Sequence, residues 1–417
     1  MLYGPRIAAV LCGLVLTFRA QPAGEDLLAH VRAKVRDNVS RLSNYACTET
    51  VERKVYALRR GEISPKACEA LAEADRGGRL ISADRLRLDV GASKPGLEMY
   101  SWAGEKRFDY KSQSQLVQGL TSRGSFAGFL DMIFTKDPVA ISYRGESVEG
   151  GRELAEYEFT TSRELSHLWH VEGFAIITAY DGTLVVDPKT FDVVRITIRQ
   201  LGLPRTAAAC ASVITLNYQS VRLKDAALLL PAVVRLVAVL RNGTKSVDQT
   251  VFSDCREFVG QSAVHFREEP SKATSPEPAP EELTVTGNQQ FEIVFTQDID
   301  TRTAAAGDAI QCELATPIRN GERIVAPKGT QVTARIVELT RTYRGRRTVR
   351  LAFRPESIGL GGAALTLVAL PSAATEEMKR PRGVTWSGAG DKLTGVIGLK
   401  GELLLTRGLR SEWLTGK

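Results

Sequence analysis

The stretch Gly173–Arg199, GFAIITAYDGTLVVDPKTFDVVRITIR, constrains the fold more than any other part of the chain. Its apolar runs are separated by Tyr180-Asp-Gly-Thr183 and Asp187-Pro-Lys-Thr190, which read as turns between three strands. Asp-Gly admits the positive φ of a tight hairpin. Proline fixes φ and donates nothing to a ladder, so Asp-Pro marks a turn. Such a block belongs in the middle of an antiparallel sheet. It carries no motif that does chemistry.

Around this block the hydropathy alternates with period two. The strands expected are Tyr45–Leu58, Arg79–Val90, Gly96–Tyr110, Lys111–Leu120, Val139–Glu149, Leu154–Ser162, Ala211–Val221, Leu228–Leu240 and Lys245–Phe258. Asn242-Gly243 signals a hairpin between the last two. Pro231 puts its strand at an edge, or starts it there. Three segments break the pattern. Glu25–Leu42 is read as a helix, because Leu27, Val31, Val35, Val39 and Leu42 form one apolar stripe. Ser64–Asp75 reads as a short helix. In Ser125–Thr135, Phe126, Phe129, Leu130, Ile133 and Phe134 sit at helical spacing, with Ser125 as N-cap and Pro138 beyond the end.

A chain of 417 residues has room for two or three domains. Arg267–Glu282, REEPSKATSPEPAPEE, is too rich in proline, charge and small residues to bury a core, so it is read as a linker. It divides a first domain, 25–266, from a second, 283–417. The second is again β: Pro327-Lys-Gly-Thr330 reads as a turn and Arg344-Gly-Arg346 as a hairpin tip. Glu376–Asp391 is read as a mobile loop, and Lys392–Leu405 as a last helix or strand.

Residues 1–20 read as an export signal. Arg6 supplies the positive start, and Ile7–Phe18 is an apolar run of signal length, too short to span a bilayer comfortably; cleavage is expected, and a retained membrane anchor is the alternative. Beyond it lie five cysteines. In an exported domain Cys47, Cys68, Cys210 and Cys255 imply disulfides, with three possible pairings. Proximity along the chain favours Cys47–Cys68. Cys312 shares a face with Ile310 and Leu314 and reads as a small buried residue. The net charge of +7 permits contact with anionic surfaces without specifying nucleic acid.

The leading amphipathic helix, the long meander and the block Tyr180-Asp-Gly-Thr-Leu-Val-Val-Asp-Pro-Lys-Thr-Phe-Asp-Val-Val-Arg-Ile196 resemble the LolA/LolB-like lipoprotein-carrier fold over roughly Glu25–Phe266. The resemblance implies a sheet bent into an incomplete barrel, closed by helices, with an apolar hollow for acyl chains. Gly307-Asp308, the following Ala309–Leu314, Gly321–Thr330 and Val332–Val337 resemble the β-barrel domain of TrbI/VirB10 proteins. The fold class expected is therefore mainly β (α+β). It combines a curved antiparallel half-barrel with one or two covering helices and a small C-terminal β-barrel or sandwich.

The candidate site residues are few. Trp102, Phe129, Phe134, Trp169 and Tyr180, with Phe126, are candidates to line an apolar hollow, or else to fill an ordinary core. Arg344, Arg346, Arg347 and Arg350, with Arg341 and Arg354, make a basic hairpin. Guanidinium suits phosphate; a solvated tip is the plainer reading. His167 and His170 face opposite ways on a strand, which disfavours a shared metal. Asp181, Asp187 and Asp192 are explained by their turns. No catalytic residue, metal or cofactor is expected. The function expected is an exported, periplasmic or extracellular protein that binds a lipid, a lipoprotein or another amphipathic ligand. The alternative is an envelope scaffold acting through protein partners. Nucleic acid is not an expected partner, and any membrane contact is peripheral.

Overall fold

The computed structural model describes residues 23–41, 45–59, 65–74, 77–94, 97–105, 108, 116, 128–172, 174–223, 226–257, 289–372, 385–388, 394–401 and 404–416. The expected leader and linker lie outside these residues, as does Phe126. Of the described residues, 62% are strand and 13% helix, with a large curved antiparallel sheet. The fold is mainly β.

Helix α1 (Ala23–Arg41) buries Val31, Val35 and Val39 on one stripe. Glu25 and Asp26 in its first turn and Arg41 in its last match the helix dipole. Strand β1 (Tyr45–Ala57) leads to α2 (Pro65–Glu73), then β2 (Arg79–Lys94) and β3 (Leu97–Trp102). Helix α3 (Gly128–Asp131) runs on as a π-helical turn, Met132–Lys136, and the Asp137 amide closes it on the Met132 carbonyl at 2.9 Å. Next come β4 (Ala140–Glu149), β5 (Arg152–Thr161), the hairpin β6 (Trp169–Glu172) and β7 (Phe174–Ile177), β8 (Ala179–Val186) and β9 (Val193–Leu201). Three long strands follow: β10 (Ala209–Leu223), β11 (Ala226–Leu240) and β12 (Thr244–Glu257). They pair antiparallel in the order β4-β5-β8-β9-β10-β11-β12-β1-β2-β3. Helix α1 and the segment 128–136 pack on the inner face of this sheet. Helix α2 packs on the other, with Cys68 and Ala72 against Ala211, Val237 and Val239.

The remaining strands are β13 (Gln290–Phe295), β14 (Ile299–Asp300), β15 (Ala309–Leu314), β16 (Ile318–Asn320), β17 (Arg323–Ala326), β18 (Gln331–Thr342) and β19 (Thr348–Leu360). They continue with β20 (Ala363–Thr366), β21 (Ala369–Pro371), β22 (Thr385–Gly388), β23 (Gly395–Lys400), β24 (Leu404–Leu405) and β25 (Arg410–Thr415). Eight of them run in the order β22-β23-β19-β18-β15-β13-β25-β21 around a separate core. In that core the ring of Phe353 meets Phe295 and Trp413 edge-on, at 5.3 and 5.5 Å. Cys312 is buried there, and burial pushes its thiol pKa well up.

The two sets of strands are stitched along the outer edge of β2. Residues 88–94 of that edge pair with β3, and Ser82–Asp84 pair with Thr340–Thr342. Between them Ala306 accepts from the Arg87 amide at 2.7 Å and donates to the Arg85 carbonyl at 2.9 Å. Arg335 reinforces the seam, donating to the carbonyls of Gly307 (2.9 Å) and Ala103 (3.3 Å) and to Glu356 (2.7 Å). From Ile81 to Lys94 the outer edge of β2 is therefore covered by these contacts, which leaves little of it for another chain to pair with.

Several expectations are corrected. The first concerns the cysteines: Cys47 bonds Cys255, with Cα atoms 4.0 Å apart, and Cys68 bonds Cys210, at 6.1 Å. Cys47–Cys68 is ruled out because Cys47 belongs to the inner-face core and Cys68 to the cluster under α2, with the sheet between them. Tyr180–Thr183 is not a turn, since it lies inside β8 and pairs with both β5 and β9. Gly182 is there for space: a Cβ would stand 1.9 Å from the Thr197 carbonyl oxygen. The Asp187–Thr190 turn does form, with the Phe191 amide on the Asp187 carbonyl at 2.8 Å. The strand of Pro231 is neither an edge strand nor begins there: β11 starts at Ala226 and lies between β10 and β12. Pro231 itself sits at a register shift against β10, beyond the last residue that β12 reaches, so its missing N–H costs no ladder bond on that side. Part of the expected loop 376–391 forms β22, and Gly395–Lys400 is strand.

Candidate functional site

The inner face of the first sheet is the place where a ligand could be held. Its apolar wall is built by alternate residues of central strands, among them Tyr157, Tyr180, Leu184, Ile196, Leu216, Leu230 and Val234. Period-two alternation puts them on one side. Two segments lie against this wall. Helix α1 contributes its valine stripe, and the segment 128–136 contributes Phe129, Leu130, Ile133 and Phe134.

Each segment is tied to the wall by a few polar contacts. The Tyr157 hydroxyl donates to the Gly24 carbonyl at 2.8 Å, holding the start of α1, and burial pushes that hydroxyl's pKa up to about 12. Near the other end, the Asn38 amide group bonds both main-chain groups of Leu229, at 3.0 and 2.7 Å. The segment 128–136 is tied at its exit. Asp137 accepts from the Tyr180 hydroxyl at 2.7 Å and from the His167 amide at 3.1 Å, and lies 2.5 Å from His167 Nδ1. Burial, then the bond to Asp137, holds the Tyr180 hydroxyl well above the usual phenol range. These contacts position segments, and no nucleophile stands beside His167 among the described contacts.

Among the described residues, α1 and the segment 128–136 cover this inner face. Between α1 and β11 a cleft of about 50 Å³ remains, lined by Lys34, Val35, Asn38, Phe191, Asp192 and Leu229 among others. A drug-sized ligand needs about 300 Å³ or more. The Tyr218 hydroxyl, on the same face, is buried without a hydrogen-bond partner among the described residues.

Of the expected lining residues, Phe129, Phe134 and Tyr180 come together in this core. Trp102 does not: it sits at the seam with Val51, Leu86, Leu88 and Ala306. The side chain of Trp169 is outside the described residues. Asp181 pairs with Arg199 at 2.7 Å, Asp187 caps its own turn, and Asp192 pairs with Lys34 at 2.8 Å. Arg344, Arg346, Arg347 and Arg350 are exposed at the β18–β19 hairpin, far in sequence from the first sheet's core. Asp137, Asn38 and Tyr218 were not legible as site residues. The only sequence mark of Asp137 is the proline that follows it.

No family model matches this chain, and no curated relative matches it. Solved structures do. A LolA superfamily protein from Nitrosomonas europaea is 11% identical over 55% of this chain and 94% of its own, with a TM-score of 0.26. A DUF1329 family protein from Desulfovibrio piger is 13% identical over 58% and 97%, with a TM-score of 0.27. A domain described as a candidate outer membrane lipoprotein-sorting protein from Vibrio parahaemolyticus is 10% identical over 56% and 93%, with a TM-score of 0.27.

Proposed function

We propose that this is an exported cell-envelope protein whose curved sheet takes up the apolar part of a lipid, a lipoprotein or another amphipathic ligand, without chemical change. The ligand would enter where the segment 128–136 now lies. One observation supports this reading: the body of that segment makes apolar contacts, and its polar tie to the wall among the described residues is at Asp137, at one end. Apolar contacts are non-directional, so an acyl chain can replace them. The magnitudes allow a reversible exchange. Withdrawing Phe129, Leu130, Ile133 and Phe134 costs roughly 6–12 kcal/mol, and burying a chain of about 14 methylenes returns ~11 kcal/mol. The buried Tyr218 hydroxyl would gain a partner from an ester or headgroup oxygen. Two disulfides support an oxidising compartment, hence the periplasm or the cell exterior. No helix among the described residues is long and apolar enough to cross a membrane.

The test is native mass spectrometry and lipid extraction of protein purified from the periplasm, followed by titration of stripped protein with a fluorescent fatty acid. Co-purifying lipid, displaced by the fatty acid, is the expected result. Lipid-free protein that does not take up the probe would sink the proposal.

A second reading is favoured by the filled hollow. If the 50 Å³ cleft is all the space the inner face ever offers, the chain is a scaffold that works through protein contacts. Repeated co-purification of a protein partner with lipid-free chain would establish it.

A further inference from the structure

Between Leu339 and Pro355 the sequence holds six arginines and no acid. Three of them have partners inside the fold. Arg341 is buried and donates to the carbonyls of Thr301 and Arg302, both at 3.1 Å. Arg350 pairs with Glu338 at 3.0 Å, and Arg354 with Glu356 at 3.4 Å. Arg344, Arg346 and Arg347 lie on the exposed turn that joins β18 to β19, closed by Thr342 against Thr348, and Arg347 too has interactions within the fold. Gly345 takes a φ of 70° there, which lets the turn stay tight. The Arg347 guanidinium stands 5.3 Å from the Tyr343 ring centroid. Arg344 and Arg346 have no ion pair among the described residues.

The turn has cationic neighbours on both sides. The Tyr343 amide donates to the Ile81 carbonyl at 2.9 Å, which sets the turn beside the start of β2, where Arg79 is exposed. On the other flank the Gly401 amide donates to the Arg347 carbonyl at 2.9 Å, and exposed Lys400 is in register with Thr348. Cations from both sets of strands therefore border one turn.

We infer that this tip docks the protein on an anionic membrane surface. A stable protein partner needs about 800 Å² per side and buried aromatic or aliphatic anchors. A five-residue turn whose one apolar group is the Tyr343 ring offers neither. A lipid surface presents phosphates in no fixed register, and guanidinium binds each of them bidentately. A tyrosine ring belongs at headgroup depth. Each cation held near such a surface raises binding about fivefold, the equivalent of ~1 kcal/mol.

The inference goes beyond the ligand proposed for the inner face and does not rest on it. It is tested by sedimenting the full chain with phosphatidylcholine vesicles and with vesicles enriched in phosphatidylglycerol. The wild type should bind only the second kind, and should release when salt is raised from about 0.1 M to about 1 M and the screening length falls from ~10 to ~3 Å. Replacing Arg344, Arg346 and Arg347 together with glutamine should weaken binding roughly a hundredfold. The same triple change to lysine should keep most of it, and Lys328→Gln, on another exposed turn, should change nothing. Thermal melts of the variants verify that they fold. Equal binding to neutral vesicles, no binding, full binding by the glutamine variant, or capture by an acidic polysaccharide in place of vesicles would each overturn the inference. A lipid-free inner face would leave it standing.

Discussion

Leu86 and Ala306 face each other across a parallel bridge, which adds to the β2–β18 ladder in joining the two sets of strands. The ladders between strands among the described residues are antiparallel. The bridge fills the gap on β2 between its pairing with β3 and its pairing with β18. Trp102, Val51 and Leu88 cover it with apolar surface, and an ion pair between Arg87 and Asp308 closes it. The second set of strands is therefore fixed against the first by main-chain bonds, whatever path the chain takes between residues 257 and 289.

Gly307 is the residue on which this seam turns. Its φ is +104°, and a Cβ there would meet the Arg87 carbonyl oxygen at 2.0 Å. Both the backbone region and the space exclude other residues. Gly307→Ala is expected to cost roughly 2–4 kcal/mol. Denaturant unfolding followed by Trp413 and Trp102 fluorescence measures it. A change below about 1 kcal/mol would mean that the seam is looser than these contacts imply.

The disulfides give a direct check on topology. Peptide mapping under non-reducing conditions should recover Cys47 joined to Cys255 and Cys68 joined to Cys210. Each closes a long loop, with sequence separations of 208 and 142 residues. Cys47→Ser with Cys255→Ser should therefore lower stability by about 2–5 kcal/mol. A Cys47–Cys68 peptide would contradict the sheet order given above.

The strands and helices were legible because their apolar periods are long and regular, as with the valine stripe of α1. What was not legible is what depends on which face a residue takes once the sheet exists. Cys47 and Cys68 are near neighbours in sequence, and nothing local says that α2 crosses to the opposite face. Asp181-Gly182 has the composition of a turn. The requirement it meets is the approach of Thr197 from the next strand, a long-range fact. Asp137 carries no local signal of its contacts, because its partners Tyr180 and His167 come from elements later in the chain. The expected aromatic residues share an apolar character that sequence can show, but only packing separates Trp102 at the seam from Phe134 on the inner face.

Asp248 makes stability depend on pH. It is 1% exposed, with one carboxylate oxygen lacking a partner. Burial pushes its pKa from the ordinary 3.8 up to about 7, against the pull of Arg53 and of the Ser246 hydroxyl and with the help of Asp84. The folded state thus holds this proton more tightly than the unfolded chain. Its contribution is complete below the unfolded value and is lost as pH rises through about 7. Stability should fall by up to about 1.4 kcal/mol per pH unit across that window. Asp248→Asn should flatten the slope. Urea midpoints measured between about pH 5 and pH 8 test it, and a slope unchanged in the variant would assign the effect elsewhere.

The tie between Tyr180 and Asp137 gives the last prediction. Tyr180→Phe keeps the ring, which packs edge-on to Phe159 at 6.1 Å, and removes only the hydroxyl. Asp137, whose side chain is 0% exposed, then keeps His167 as its side-chain partner among the described residues. Leaving a buried carboxylate short of a donor costs about 1–3 kcal/mol. The cost is local, because the apolar contacts of Phe129 and Phe134 are untouched, so the segment 128–136 should open before the sheet does. Hydrogen exchange should show faster exchange at Met132–Lys136, by roughly ten- to a hundredfold, with β8–β10 unchanged. In the carrier reading the same variant should bind a fatty-acid probe more tightly, because the cost of clearing the inner face has fallen. Faster exchange with no gain in binding would separate the two claims: the tie would be real, and the hollow behind it would not be a ligand site.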